Sequence, residues 1–166
     1  MTTGPTTSSP ILDPDQDNSL DNLPLSKQRL RVWLRLLSAN RAVESQLRES
    51  LRLHHATTLP RFDVLATLDR YRDGLRMSSL SAHLKVSNGN VTGIVDKLVA
   101  EGLVTREITK EDKRATKVRL TRAGQEKFAN MAAEHEKWVD DLFADLDSQN
   151  LAMLTGLLAR IKDARP

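Results

Sequence analysis

Within the short stretch from Ser87 to Lys97, the polar or small residues Ser87, Asn88, Gly89, Asn90, Thr92, Gly93, Asp96 and Lys97 surround a regular set of apolar ones. Val91, Ile94, Val95 and Leu98 recur at i, i+3, i+4 and i+7, the spacing of one buried stripe on an α-helix. The amides, hydroxyls and glycines are therefore expected to face outward, an odd surface for a core helix. Asparagine can donate and accept along the edge of adenine, and serine or threonine can bond to either kind of edge, so this surface suits reading base pairs in a major groove. A well-made bidentate pair contributes on the order of 1–3 kcal/mol of discrimination. Gly89 and Gly93 would permit close backbone approach, and Lys97 is placed to meet phosphate.

Such a face works only if other elements hold it out. The preceding residues predict a short helix from Ser78 or Ser79 that buries Leu80 and Leu84, with Ala82 small enough for a close crossing. Lys85, Val86 and Ser87 form the turn, with Ser87 available to cap the second helix, and the pair reads as a helix-turn-helix. Gly102 is placed to end the second helix in a left-handed conformation. Val104 and Ile108 are then expected to alternate with Arg106, and Val118 and Leu120 with Lys117 and Arg119, as two half-buried strands. Between them, Thr109-Lys110-Glu111-Asp112-Lys113-Arg114 makes a charged hairpin tip that can project as a wing.

The stretch from Ser87, the Asp112-Lys113-Arg114 tip and the exit Val118-Arg119-Leu120-Thr121-Arg122-Ala123-Gly124 together resemble the MarR family of bacterial transcription regulators. The order of elements from about Leu25 to Ile161 is similar as well. The resemblance implies a mainly α fold with a small antiparallel β wing: a winged helix-turn-helix domain joined to a helical dimerisation bundle. It implies that Leu75-Arg76-Met77 adds a third strand to the wing sheet, that Arg114 enters a minor groove, and that Asp112 orients it. Lys110, Lys113, Lys117 and Arg119 would add non-specific grip, and a surface ion pair stiffening the hairpin tip is the plainer reading of Asp112 and Arg114. The implied partner is double-stranded DNA, read by a homodimer at a near-palindromic operator with half-sites roughly 10 base pairs apart or a multiple of that.

Family resemblance also implies a small-molecule effector lodged between the dimer bundle and the winged domains. Trp33, Leu37, Arg61, Phe62, Leu65 and His83 belong to elements expected to converge there, although all but Arg61 serve equally well as packing. Arg61-Phe62-Asp63-Val64-Leu65 and Val86 through Thr92 are similar to the branch controlling aromatic-acid catabolism, which answers to phenolic acids or their coenzyme A thioesters. Arg29, Arg31, Arg35 and Arg61 would suit an anionic effector at the mouth of such a pocket.

Composition sets outer limits. The 166 residues suffice for a real core, and the low aromatic content of 4% with abundant Leu, Ala, Arg and Glu points to helices. There is no cysteine, which excludes disulfides, Cys-ligated zinc and the thiol-based oxidant sensing found in some members of the resembled family. No apolar run is long enough to span a membrane and no signal core opens the chain, so a cytoplasmic location is expected. No Gly-rich phosphate loop, metal constellation or nucleophile–base spacing supports an enzyme, and no cofactor is expected. The net charge of +3 conceals an uneven distribution, because residues 1–24 hold Asp13, Asp15, Asp17 and Asp21 and no Lys or Arg. From Arg70 to Arg122 twelve basic residues face six acidic ones, as phosphate neutralisation requires. A solvated basic face, or a winged module that binds protein rather than DNA, is the rival reading.

Four regions follow. Residues 1–24 form an acidic arm expected to lack fixed structure, unless Ile11 and Leu12 pack on a partner subunit. Residues 25–55 form a dimerisation helix with a seam of Leu30, Trp33, Leu34, Leu37, Val43, Leu47 and Leu51, ending at His54-His55, for which a metal role is disfavoured. Residues 56–121 form the winged domain, whose first helix has a Thr58 cap, Pro60 in its first turn and Gly74 at its close. Residues 122–166 complete the dimerisation region with two helices. The first, capped by Thr121, carries Phe128, Met131, His135, Trp138, Val139, Leu142 and Phe143 on one face, where His135 reads as a core histidine. The second starts at Ser148 and carries Leu151, Leu154, Leu157, Leu158 and Ile161.

Overall fold

The computed structural model describes residues 23–108 and 116–163, without the side chains of Asn88 and Ile108. Most of the acidic arm, with Ile11 and Leu12, and the hairpin tip carrying Lys110, Asp112, Lys113 and Arg114 lie outside the described residues. The elements run α1 (Leu25–His55), α2 (Leu59–Arg70), β1 (Leu75–Arg76), α3 (Met77–Leu84), α4 (Asn88–Ala100), β2 (Val104–Ile108), β3 (Thr116–Leu120), α5 (Arg122–Leu142) and α6 (Ser148–Asp163). The three strands form one antiparallel sheet in the order β1-β3-β2. This is the mainly helical, winged architecture that the sequence predicts.

Two compact units divide inside α1, after Ser45. In the first, the carbonyl of Pro24 accepts from the amides of Lys27 (2.8 Å) and Gln28 (3.1 Å) and so starts the helix. Leu30, Val32 and Trp33 of this half stay exposed. Of the predicted α1 seam, the buried members are Leu47 and Leu51, both in the second unit.

In the second unit, α2 opens with Pro60 in its first turn, where a missing amide does no harm. Thr58 occupies the N-cap position, but its side chain makes no cap hydrogen bond. The helix also ends before Gly74: Arg70 is its last residue, and Gly74, at φ +82, instead turns the chain into β1. A β-carbon there would stand 3.0 Å from the carbonyl oxygen of Val118 on the neighbouring strand. In α3 the small residue turned inward is Ser81, not the expected Ala82, which is exposed. Ser81 donates its hydroxyl to the carbonyl of Met77 (3.0 Å), which satisfies a polar group that would otherwise be costly to bury.

The core is one cluster that gathers Phe62, Leu65 and Leu68 from α2, Leu80 from α3, Val91, Val95 and Leu98 from α4, Val104, Val118 and Leu120 from the sheet, and Met131 from α5. Burying each such side chain contributes roughly 1.5–3 kcal/mol, so the α4 stripe anchors that helix from one side. One strand departs from the expected alternation. Val104 pairs with Leu120, and Arg106 with Val118, so Arg106 shares the inner face with Val104 because residues two apart point the same way. Its charged end escapes burial at the rim of the sheet, as its side-chain exposure of 36% shows.

The junction between α4 and α5 is tied by backbone chemistry. Gly102, at φ +70, ends α4 as expected, and the amide of Leu103 reaches back to the carbonyl of Leu98 at 2.9 Å. Thr121 accepts from the amide of Gly124 (3.0 Å) and donates to the carbonyl of Gly102 (2.7 Å), so one hydroxyl caps α5 and holds it to the preceding turn. Gly124 is required there because a β-carbon would lie 1.9 Å from the carbonyl oxygen of Leu103. At the far end, Asp147 caps α6 by accepting from the amide of Asn150 at 2.8 Å. No residue of α6 is buried within the chain. Among the described residues no helix is long and apolar enough to cross a membrane.

Candidate nucleic-acid interface

The outer face of α4 follows from what the inner face must bury. With Val91, Val95 and Leu98 fully enclosed, Gly89, Asn90, Thr92, Gly93, Asp96 and Lys97 are turned to solvent. Asn88 forms the first turn of the helix. Ser87 takes the extended N-cap conformation (φ −64, ψ 146), yet its hydroxyl does not cap, contrary to the expectation, and the residue is exposed. Neither Gly89 nor Gly93 is required by the fold, since a β-carbon on either would meet nothing within 4 Å.

The turn that delivers α4 is held by Lys85, which adopts the left-handed conformation (φ 54) usually left to glycine. The amides of Lys85 and Val86 close α3 on the carbonyls of Ala82 and Ser81, each at 3.3 Å. Lys85 is also exposed, which puts a cation beside the start of α4.

Two ion pairs hold α4 from the sides, and sequence reasoning found neither. Asp96 on its outer face meets Arg106 of β2 at 2.6 Å, joining the helix to the wing strand. Glu101, the C-cap residue, is hydrogen-bonded to the guanidinium of Arg61 in the first turn of α2. Across the wing itself, Glu107 and Arg119 pair at 2.5 Å. Arg106 and Arg61 carried no local signal, because each partner lies on another element.

The residues expected around an effector are distributed as follows. Phe62 and Leu65 are core residues, and Arg61 is engaged by Glu101. His83 is exposed and packs at a tilt against Tyr71, with ring centroids 4.6 Å apart, beside a cleft of about 320 Å³ that Ala66, Thr67 and Arg70 also line. Trp33 and Leu37 belong to the first unit, Trp33 with 55% of its surface exposed. A second cavity of about 250 Å³, which sequence reading missed, is lined by Gln46, Leu47, Ser50, Trp138, Asp141 and Leu142.

Three histidines surround Trp138: His54, His55 and His135, with centroid separations of 5.5, 5.9 and 6.5 Å. His135 also stacks on Phe62 at 4.6 Å, and its burial holds the imidazole below its ordinary pKa, so the neutral ring is favoured. His55 Nε2 stands 3.3 Å from a carboxylate oxygen of Glu134, an approach too poorly aligned to be a hydrogen bond. Among the described residues no group of three His, Cys, Asp or Glu side chains could hold a metal ion.

Comparison with known proteins places this geometry. A family model described as the MarR family matches residues 44–116. An uncharacterised helix-turn-helix-type transcriptional regulator of Bacillus subtilis, YdgJ, is 29% identical over 99 residues, which make up 60% of this chain and 60% of that protein. The crystal structure of a MarR family transcriptional regulator from Silicibacter pomeroyi is 30% identical and superposes with a TM-score of 0.71, covering 83% of this chain and 95% of that one. A MarR family regulator from Streptomyces coelicolor, solved in complex with DNA, shares the fold with a TM-score of 0.74 at 23% identity, over 89% of this chain and 92% of the other. The helix-turn-helix, the three-stranded wing and the flanking helices thus have their counterparts in one group of proteins, and the chain belongs to the MarR family of transcriptional regulators.

Proposed function

We propose that this chain is a sequence-specific DNA-binding regulator that acts as a homodimer on a near-palindromic operator. The observation that carries the reading is the division of α4, whose inner stripe is apolar and whose outer face carries glycine, amide and hydroxyl groups beside Asp96 and Lys97, with nothing in the protein itself that calls for the two glycines. Ser87, Asn88, Asn90 and Thr92 would read base edges, Gly89 and Gly93 would permit close backbone approach, and Lys97 would meet phosphate. Lys110, Asp112, Lys113 and Arg114 are assigned to the wing contact on the sequence pattern alone. Association of two copies is supported by exposed apolar residues: Leu151, Met153, Leu157, Leu158 and Ile161 on α6, and Leu30, Val32 and Trp33 on α1. A second copy would cover these faces, and a two-fold pair of reading helices suits a palindrome.

The finer reading is that of a cytoplasmic repressor released by a small anionic aromatic molecule, an aromatic acid or its coenzyme A thioester. Trp33, Leu37, Arg61, Phe62, Leu65 and His83 are the candidates to respond to it. Release requires that the effector prefer the DNA-incompetent shape, since equal affinity for both shapes shifts nothing.

Selection of duplexes from random DNA tests the central claim, with binding then measured against salt. A reader making several phosphate contacts should show a log–log salt slope near −0.9 per contact and enrich a near-palindrome. Enrichment of no duplex at low salt would favour the protein-binding module instead. Calorimetric titration with aromatic acids and acyl-coenzyme A probes, each read beside DNA release, tests the effector.

A further inference from the structure

Arg61 and Glu101 each occupy the unfavourable end of their own helix. Arg61 lies in the first turn of α2, where the helix dipole presents positive charge, and Glu101 is the C-cap residue of α4, where the dipole is negative. Neither charge helps the helix that carries it. Each is well placed only with respect to the other element, where the two ends meet and the guanidinium reaches the carboxylate.

Burial sharpens the point. The Arg61 side chain keeps 19% of its surface, and its Nε is enclosed without a hydrogen-bond partner. An arginine at a helix start can usually extend into water, but here the side chain is folded in at a cost in solvation and leaves one donor unmatched. The next residue, Phe62, stacks on His135 at 4.6 Å and lies 5.5 Å from Phe128, so α2 is anchored to α5 immediately beside the pair.

The apolar stripe of α4 fixes depth more firmly than orientation, because hydrophobic contact is non-directional. Directional charged bonds supply what the stripe lacks. Asp96–Arg106 acts at the middle of the helix and Glu101–Arg61 at its end. We infer that Arg61 is a positioning residue: its bond to Glu101 fixes the carboxyl end of α4 on α2 and so sets the angle at which Ser87 to Lys97 meet DNA. The inference rests on the DNA-reading function proposed above and adds to it a determinant of specificity that touches no base.

The test uses the full-length chain, the duplex it enriches from random DNA, and a scrambled duplex of equal length. Glu101→Gln and Arg61→Met should each weaken binding to the enriched duplex about tenfold, leave low-salt binding to the scrambled duplex within twofold, and keep the wild-type salt slope and thermal melting. The exchange Arg61→Glu with Glu101→Arg should return affinity to within threefold of wild type. Single variants that bind the enriched duplex like wild type would overturn the inference. So would equal losses on both duplexes with lowered melting, which would mark a purely structural role, or an exchange variant that melts normally yet stays tenfold weak. A wild-type chain that enriches no duplex would remove the functional reading itself and this inference with it.

Discussion

Gly93→Ala separates what the fold needs from what the function needs. Gly93 lies in the interior of α4 without a positive φ, and a β-carbon there would meet nothing within 4 Å. Glycine in a helix interior is about 0.8–1.0 kcal/mol less favourable than alanine, since it loses more backbone freedom on folding. No packing term opposes the substitution, so the variant should unfold with a free energy about 0.8–1.0 kcal/mol higher. For a chain of this size that raises the melting temperature by roughly 2–4 °C. Binding should move the other way. If the α4 backbone approaches base edges at this residue, the added methyl group disturbs contacts worth on the order of 1–3 kcal/mol. Affinity for the enriched duplex would fall roughly 5- to 150-fold. Urea unfolding followed by circular dichroism gives the first quantity, and fluorescence anisotropy at fixed salt gives the second. A variant that is more stable and binds the enriched duplex as tightly as wild type would refute close approach at Gly93. One that gains no stability would refute the helix-propensity argument.

Three further substitutions probe other parts of the molecule. Gly124→Ala should destabilise by at least about 1–3 kcal/mol, because its β-carbon would stand 1.9 Å from the carbonyl oxygen of Leu103 and force α5 away from the turn; urea midpoints check it. His135 is held neutral by burial, so the unfolded chain takes up a proton at the ordinary value of 6.5 while the folded chain resists it. Its contribution to stability is therefore complete above 6.5 and is lost as pH falls below, and the drop in urea midpoint from pH 7.5 to 5.5 should be smaller in His135→Leu. Leu157→Asp, at a position 47% exposed on α6, should leave the winged unit folded and yield a monomer in sedimentation.

What could be read from the sequence was whatever local chemistry determines. The 3.6-residue period of Val91, Val95 and Leu98 fixed the inner face of α4, and Gly102 and Thr121 marked a helix end and a cap, whereas the close approach of Gly124 to the carbonyl of Leu103 emerged only in the fold. Errors arose where the answer lay elsewhere in the fold. Ser81, not Ala82, turned inward because the orientation of α3 is set by the elements around it, and a hydroxyl can be buried once it bonds back along its own helix. Arg106 was misplaced on its strand, and the partner that makes its inward position tolerable, Asp96, sits on α4. The role of Arg61 was hidden in the same way, with Glu101 forty positions away. Expected caps at Thr58 and Ser87 failed for a different reason: composition predicts where a cap residue belongs, but the side-chain rotamer decides whether it bonds.

None of the sixteen residues of α6 is buried within its own chain, and only Leu154 is even partly covered. An isolated helix of that length is marginal in water, since propagation barely repays the entropy lost in nucleating the first turn. If its apolar side finds cover only on another copy, helicity at this end becomes subject to mass action. Far-ultraviolet ellipticity should then decline on dilution well before the winged unit begins to melt, and amide protons of α6 should exchange at a rate set by protein concentration.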